Sequence, residues 1–179
     1  VPGCGAGWSR IANAALAVGD FENGNDTDAI TLSMSADARL WTNRRGNRFQ
    51  DIALATDVAA LRARTVAVGD FDADGWLDLV VANDAGVQLA TNRGDGTYGA
   101  ARTLAAWPDV AQIEAFDVDN DGRLDLCCAS PGALRVLRNG RAGLVDATAS
   151  IVRSSEGAVR VLACDVNSEI GRASCRERV

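Results

Sequence analysis

Short apolar runs on either side of an acidic stretch form the main pattern in this chain. One run, at residues 66–68, leads into the acidic stretch, and a second, LDLVV at 77–81, follows it. Both runs are too short for typical helices and rich in β-branched residues, so they predict strands. VQLATN from Val87 and RGDGTY from Arg93 indicate a third strand and a hairpin turn. ARTLAAW, from Ala101, predicts a fourth strand.

The same arrangement recurs along the chain. The first aspartate of the acidic stretch is at positions 20, 70, 117 and 165, so the intervals are 50, 47 and 48 residues. Four strands in such a unit are typical of a β-propeller blade, since known blades contain about 40–50 residues. LDLVVA and LDLCCA do not alternate, which fits strands covered on both faces by neighbouring blades. The sequence therefore predicts an all-β fold: a β-propeller fragment of about three four-stranded blades with partial blades at both ends.

The repeat also divides the chain into segments. We expect a gene fragment, because the sequence starts at Val1 without methionine or a leader-like pattern and ends in EIGRASCRERV, which matches a translated sequencing adapter. The segments are the end of a preceding blade at 1–14, blades at 15–62, 63–110 and 111–157, the start of a truncated repeat at 158–168, and an adapter-derived tail at 169–179.

The acidic stretch at 70–78 has the spacing D-x-D-x-D-G-x-x-D. Alternate residues of a tight loop can direct one carboxylate each toward a common centre, and the glycine permits the turn. Oxygen ligands without nitrogen or sulfur favour calcium over zinc or copper, and magnesium requires a more rigid octahedron. A hydrogen-bonded Asx-type turn without metal is the alternative. The candidate calcium ligands are Asp70, Asp72, Asp74, the Trp76 carbonyl and Asp78 in the second repeat, and Asp117, Asp119, Asp121, the Arg123 carbonyl and Asp125 in the third.

The first and fourth repeats keep this spacing less completely. In the first, Gly24 replaces the fifth-place acid and Asn25 replaces the glycine. The fourth keeps only Asp165 and Asn167, too few ligands for a site. The weaker candidate ligands are Asp20, Glu22, Asp26 and Asp28 in the first repeat.

Two other classes of acidic loop are less consistent with the chain. An EF-hand requires flanking helices and a glutamate at the twelfth place, which here is Val81 between strands. Thrombospondin-type acidic repeats share the local spacing of aspartates, but they follow one another without intervening strands. Because Asp78 closes the loop from the start of the next strand, we expect the ion to join the two strands of a hairpin.

The amino-acid composition excludes several classes of function. The 179 residues are 47% hydrophobic and 23% charged, which is typical of a globular protein, and no run approaches the ~18 apolar residues of a membrane span. All 18 basic residues are arginines in a chain of net charge -6, and no basic stripe indicates nucleic-acid binding. Histidine is absent, so the usual general base and commonest zinc ligand are missing.

Other residues have both a functional and a structural interpretation. The tripeptide at 93–95 is one that integrins recognise, but it lies at a predicted hairpin turn. Cys127 and Cys128 replace valines of the preceding repeat, so we expect small, buried apolar side chains, with a vicinal disulfide or metal site as the alternative. Cys4 and Cys164 could pair if the ends of the chain meet. We expect packing rather than sugar-stacking roles for the tryptophans, with Trp76 the best exception: Trp8, Trp41, Trp76 and Trp107.

The repeats resemble the FG-GAP, or VCBS-type, family of β-propellers. The phrases VAVGDFDADGWLDLVVAN and LATNRGDGTY are similar to those of its bacterial members, and the combination of loop and hairpin is similar to the cartilage acidic protein group. The resemblance implies a propeller of about seven blades, calcium in the blade loops, and an extracellular, periplasmic or cell-surface location.

We therefore expect a non-catalytic, calcium-stabilised module that recognises a protein or carbohydrate ligand, in contact with further blades of the same chain. The alternative is the propeller part of a polysaccharide lyase or hydrolase, because paired carboxylates can cleave glycosidic bonds. Metal spacing accounts for each tight acidic cluster, which favours the first function.

Overall fold

Three four-stranded antiparallel sheets make up most of the described structure. The computed structural model describes residues 14–34, 38–46, 48–54, 61–152, 163–164 and 174–175. Within each four-stranded sheet the strands follow chain order, so every strand pairs with its neighbours in the sequence. The predicted all-β class and the four strands per repeat are confirmed for this part of the chain.

The strand bounds agree closely with the repeat. The first sheet contains β1 (Ala14–Gly19), β2 (Asp28–Ser33), β3 (Arg39–Asn43) and β4 (Phe49–Ala53). The second contains β5 (Thr65–Gly69), β6 (Asp78–Asn83), β7 (Gly86–Ala90) and β8 (Arg102–Ala105). The third contains β9 (Gln112–Phe116), β10 (Asp125–Ser130), β11 (Ala133–Gly140) and β12 (Gly143–Asp146).

Two smaller features follow the third sheet. A four-residue helix, α1 (Thr148–Ile151), was not predicted, and the Asp146 carboxylate accepts the Thr148 N–H at its start. β13 (Ala163–Cys164) pairs with β14 (Ser174–Cys175). The rest of the predicted fourth repeat and tail, and residues 1–13, lie outside the described residues. Within the described residues, no helix has the length and apolar character that crossing a membrane would require.

The second strand of each sheet is the centre of the packing. In β6, Leu79 and Val81 pack into a core with the first sheet, whereas Val80 and Ala82 pack into a core with the third. Every residue of β6 and of β10 is buried. Full burial of a valine or leucine side chain stabilises a fold by about 1.5–3 kcal/mol. This burial on both faces explains the apolar runs that do not alternate.

The first strands of successive sheets lie beside one another, β1 against β5 and β5 against β9. Glycine makes this approach possible at two corresponding positions. A Cβ atom at Gly19 would lie 2.5 Å from Leu77 Cδ1, and one at Gly69 would lie 2.4 Å from Leu124 Cδ1. The third sheet has Phe116 at this position, opposite Asp125 in the strand register. The third repeat therefore differs from the first two at the position where they place a glycine against the next sheet.

The order of the strands fixes where the acidic residues lie. Three acidic loops, at 20–27, 70–77 and 117–124, connect the first and second strands of the sheets. In an antiparallel sheet these loops share an end with the links between the third and fourth strands. The acidic loops and those links therefore form one end of the described structure, called the loop end below.

Candidate cation sites in the acidic loops

The first aspartate of each acidic loop folds the loop around its own carboxylate. In the second loop the two Asp70 oxygens accept the N–H groups of Asp74 and Gly75, at 3.1 and 2.9 Å. Asp20 and Asp117 accept the corresponding pairs of N–H groups at 2.8 to 3.1 Å. These bonds satisfy backbone donors in the turn, so each first-place aspartate stabilises the loop whether or not a cation is bound.

The turn also needs a residue with positive φ, the left-handed backbone conformation, at the sixth position of the loop. Gly75 and Gly122 have φ values of 90° and 86°, as the predicted role of this glycine requires. In the first loop Asn25 takes the same place with φ 62°. Asparagine tolerates this conformation better than most residues, so the first loop keeps the turn without glycine.

The ninth-place aspartate has a structural role that the sequence analysis did not identify. Asp78 is fully buried, and its two oxygens accept the N–H groups of Phe71 in the loop and Asn92 after β7, at 3.0 and 2.8 Å. Asp28 and Asp125 accept the equivalent bonds at 2.7 to 3.1 Å. Each of these carboxylates therefore joins its loop to the third strand of its sheet. The repeated asparagine at 43, 92 and 139 is the signal that could have indicated this connection.

Two of these asparagines also connect neighbouring sheets. Asn92 Nδ2 donates to the Phe21 carbonyl at 3.3 Å, and Asn139 Nδ2 donates to the Phe71 carbonyl at 2.8 Å. Both asparagine side chains are buried, so these hydrogen bonds are protected from water. The first and second acidic loops are therefore each attached to the sheet that follows.

Negative charge in the second and third loops is incompletely balanced. Burial, followed by the charges of Asp72 and Asp74, raises the pKa of Asp78 to about 6 against the two opposing backbone hydrogen bonds. Burial, followed by the charges of Asp119 and Asp117, raises the pKa of Asp125. The pKa of Asp72 is also raised, by desolvation and then by the Asp74 charge. A bound cation would relieve the repulsion that these shifts record.

The structure brings together three acids in each loop, not the whole predicted sets. In each group, one carboxylate oxygen per residue lies within 4.8 Å of the others. Asp74, Asp121 and Asp20 are predicted ligands outside these groups. The Asp74 and Asp121 carboxylates instead accept the N–H groups of Trp76 and Arg123. The groups are Glu22, Asp26 and Asp28; Asp70, Asp72 and Asp78; and Asp117, Asp119 and Asp125.

Arginine side chains distinguish the three loops. In the first, Arg44 pairs with Glu22 at 3.1 Å and Arg45 pairs with Asp26 at 3.3 Å. In the third, Arg138 pairs with Asp119 and Arg123 pairs with Asp121. Within the described part of the chain, the four aspartates of the second loop have no arginine partner. The second loop is therefore the strongest candidate for an added cation.

The donor chemistry fits a hard cation. Each group consists of carboxylate oxygens alone, which suits calcium rather than a metal that prefers nitrogen or sulfur. In the first loop, the buried Asp26 Oδ1 has no hydrogen-bond partner among the described residues, so it is an unsatisfied acceptor that a cation or water could satisfy. These residues fit calcium, with the second loop the best match.

Most other residues named from the sequence have packing or turn roles. Cys127 and Cys128 are buried, and burial raises the pKa of Cys128 to about 12. Asp95 Oδ1 accepts the N–H and O–H of Thr97, which lowers the pKa of Asp95 and holds the 93–95 tripeptide in a turn. Cys4 and Trp8 lie outside the described residues.

The other three tryptophans contact their own or neighbouring sheets. Trp41 donates through Nε1 to Thr31 Oγ1 at 3.1 Å. Trp107 lies 4.8 Å below the Arg135 guanidinium, measured to the ring centroid. Trp76 packs so closely on Gly94 that a Cβ atom there would lie 2.6 Å from the indole. These contacts favour the predicted packing roles.

Stacked antiparallel sheets, each with an acidic loop between its first two strands, define a repeat protein. The chain belongs to the FG-GAP-like repeat family, whose model matches residues 20–81, 70–128 and 117–169. It is also 30% identical to cartilage acidic protein 1 of Xenopus tropicalis in an alignment of 139 positions that covers 70% of this chain and 22% of that protein. The predicted family is therefore confirmed, and the match to the cartilage acidic protein group is a weak one.

Two solved structures have similar folds. An Agrocybe aegerita lectin that recognises non-reducing terminal N-acetylglucosamine matches with a TM-score of 0.64 and 17% identity, over 91% of this chain and 46% of the lectin. The V. cholerae biofilm matrix protein Bap1 matches with a TM-score of 0.53 and 16% identity, over 93% of this chain and 28% of Bap1. This chain thus spans less than half of each, and the similarity shows the fold.

Proposed function

We propose that the chain is part of a calcium-binding β-propeller without catalytic activity, which recognises a carbohydrate or protein ligand outside the cell or at its surface. The observation that carries the proposal is the group of three carboxylates in each acidic loop. Asp70, Asp72 and Asp78 would hold calcium in the second loop, and their counterparts would do so in the third. The ion would supply positive charge that offsets carboxylate repulsion and links the loop to β6.

The uncovered face of β1 supports closure into a propeller. Leu16 and Val18 are 63% and 58% exposed. Their counterparts in the second sheet, Val66 and Val68, pack against the core formed with the first sheet. Another sheet of the same protein would cover Leu16 and Val18 in the same way, as the preceding blade of a propeller.

Recognition is supported by the proteins that share the fold. One of them recognises a terminal sugar and another belongs to a biofilm matrix. Both descriptions are compatible with an extracellular, periplasmic or cell-surface location for this protein. Metal spacing accounts for the compact carboxylate groups among the described residues, which favours binding over polysaccharide cleavage.

Thermal unfolding with and without calcium tests the proposal. At a calcium concentration of about ten times Kd, we expect the melting temperature to be about 3–6 °C above that in chelator. The double variant Asp72→Asn, Asp119→Asn should lose most of this shift. Asp109→Asn, which removes an exposed acid outside the loops, should keep it. An unchanged melting temperature in the parent protein, or a full shift in the double variant, would contradict calcium binding in these loops.

A further inference from the structure

A cleft of about 690 Å³ opens at the loop end between the second and third sheets. One wall comes from the second acidic loop and the start of β8, which contributes Arg102. The other comes from the third acidic loop and the turn between β11 and β12, which contributes Arg141. Its volume is in the range of small-molecule binding sites, about 300–1,000 Å³.

The first sheet-to-sheet junction is built differently at the corresponding positions. There, Trp76 packs directly on Gly94, so an indole lies against the hairpin turn of the second sheet. At the second junction, sequence alignment of the repeats places Arg123 at the position of Trp76 and Arg141 at the position of Gly94. Two cationic side chains thus replace an aromatic ring packed on glycine.

Two of the arginines that line this cleft are free to bind a ligand. Arg102 and Arg141 are exposed, and within the described residues neither guanidinium has a hydrogen-bond or ion-pair partner. Arg123 differs, because it donates to the Asn139 carbonyl at 2.8 Å and pairs with Asp121. A guanidinium without a partner presents a planar fork of donors that matches a carboxylate or sulfate group.

The cleft combines these charges with apolar surface. Leu89, which is buried, and the half-buried Leu124 and Leu144 also line it. The C–H faces of a sugar ring can pack on Leu124 and Leu144 while an acidic substituent meets the arginines. Asp70 and Asp72 form part of the wall, and their charge disfavours an anion unless a cation balances it. The combination matches an acidic sugar better than a neutral one.

We propose that this cleft binds an anionic oligosaccharide, with Arg102 and Arg141 contacting a carboxylate or sulfate group and with Leu124 and Leu144 contacting the ring. The proposal rests on the recognition function proposed above and specifies the class of its ligand. It requires both neighbouring sheets, since each supplies one of the two arginines.

Calorimetric titration in calcium tests the ligand class with three probes. They are an oligogalacturonate, which carries carboxylates, a heparin-derived oligosaccharide, which carries sulfates, and a neutral chitin-derived oligosaccharide. We expect binding of at least one anionic probe at least tenfold tighter than that of the neutral one, and weaker binding at high salt. The preferred anionic probe identifies which acidic group the arginines contact.

Variants separate the cleft from general charge effects. Arg102→Gln and Arg141→Gln should each weaken binding of the anionic probe about tenfold, because each removes a charge-assisted contact. Arg62→Gln removes an exposed arginine near the opposite end and should leave the affinity unchanged. All three variants should keep the calcium-dependent rise in melting temperature.

The outcomes distinguish this proposal from the function on which it rests. A normal calcium shift without binding of either anionic probe would overturn the cleft proposal and leave calcium binding intact. Equal binding of the neutral probe, unaffected by the two arginine variants, would support carbohydrate recognition but refute an anionic ligand. Equal losses in Arg62→Gln and Arg141→Gln would show that overall charge, not the cleft, attracts the probe.

Discussion

The first and second acidic loops are held by the same four hydrogen bonds, but their charges are balanced in different ways. In both, the first-place aspartate accepts two N–H groups of the turn, and the ninth-place aspartate accepts one from the loop and one from the third strand. Arg44 and Arg45 pair with acids of the first loop. Within the described residues, no arginine pairs with the second.

The acidic residues of these loops therefore have two separate roles. The four hydrogen bonds shape the loop. All four are present in the first repeat, although Gly24 replaces the fifth-place acid and Asn25 replaces the glycine. Balancing the remaining charge requires a positive partner, which is arginine in the first loop and, as we propose, calcium in the second. The hydrogen-bonded loop can therefore be kept while arginine, and not a metal ion, balances its charge.

The largest expected effect on stability comes from removing the buried ninth-place aspartate, which both loops contain. Asp78→Ala leaves the buried N–H groups of Phe71 and Asn92 without acceptors, which should destabilise the fold by about 2–4 kcal/mol. Asp28→Ala should have a similar effect, since its carboxylate accepts the equivalent bonds. Urea unfolding in chelator measures both, with Asp109→Ala as the control. If Asp28→Ala were neutral, the two loops would not share the same structural dependence.

An intermediate effect should follow from pH in the absence of calcium. The folded-state pKa of Asp78 is about 6, against an ordinary value of 3.8, so the folded protein binds more protons between these values. Stability should therefore fall, on the order of 1 kcal/mol, as pH rises from 4.5 to 7. The raised pKa of Asp125 acts in the same direction.

Urea midpoints in chelator at several pH values test this dependence. Asp95 and Asp146 have lowered pKa values, so their contributions change only below about pH 4 and do not affect this window. With calcium bound, the decline should be smaller, because the cation stabilises the charged carboxylates. A stability that rises steadily from pH 4.5 to 7 in chelator would contradict the assignment.

The smallest expected effect concerns the arginine partners. Arg138 pairs with Asp119 in the third loop, whereas the second loop has Thr91 at the corresponding position. Arg138→Thr should make the third loop more like the second and tighten its calcium binding about two- to fivefold, as expected for a partly exposed ion pair. Calcium titration measures the change, and Arg62→Thr controls for net charge. Unchanged or weaker binding would show that Arg138 does not compete with the cation.

Much of the fold could be predicted because its signals are local. The spacing of Asp20, Asp70 and Asp117, together with short apolar runs, identified the repeat, its four strands and the place of each acidic loop. The apolar run in β6 correctly indicated burial on both faces. These features depend on residues close together in the sequence, where strand and turn preferences act directly.

The site was less predictable because its contacts cross strands. Asn92 bonds to Asp78 only because the register of β6 and β7 brings them together. Likewise, the pairing of Arg138 with Asp119 depends on the neighbouring strand and not on the loop sequence. Spacing alone therefore treated the second and third loops as equivalent.

Phe116 limits how the repeats can be exchanged. In the first two sheets glycine at this position accepts a leucine from the next sheet, Leu77 on Gly19 and Leu124 on Gly69. A copy of the second repeat grafted after the third would bring its own leucine against the Phe116 ring. A protein engineer who wished to lengthen the array with such a copy would therefore first need to place glycine at position 116.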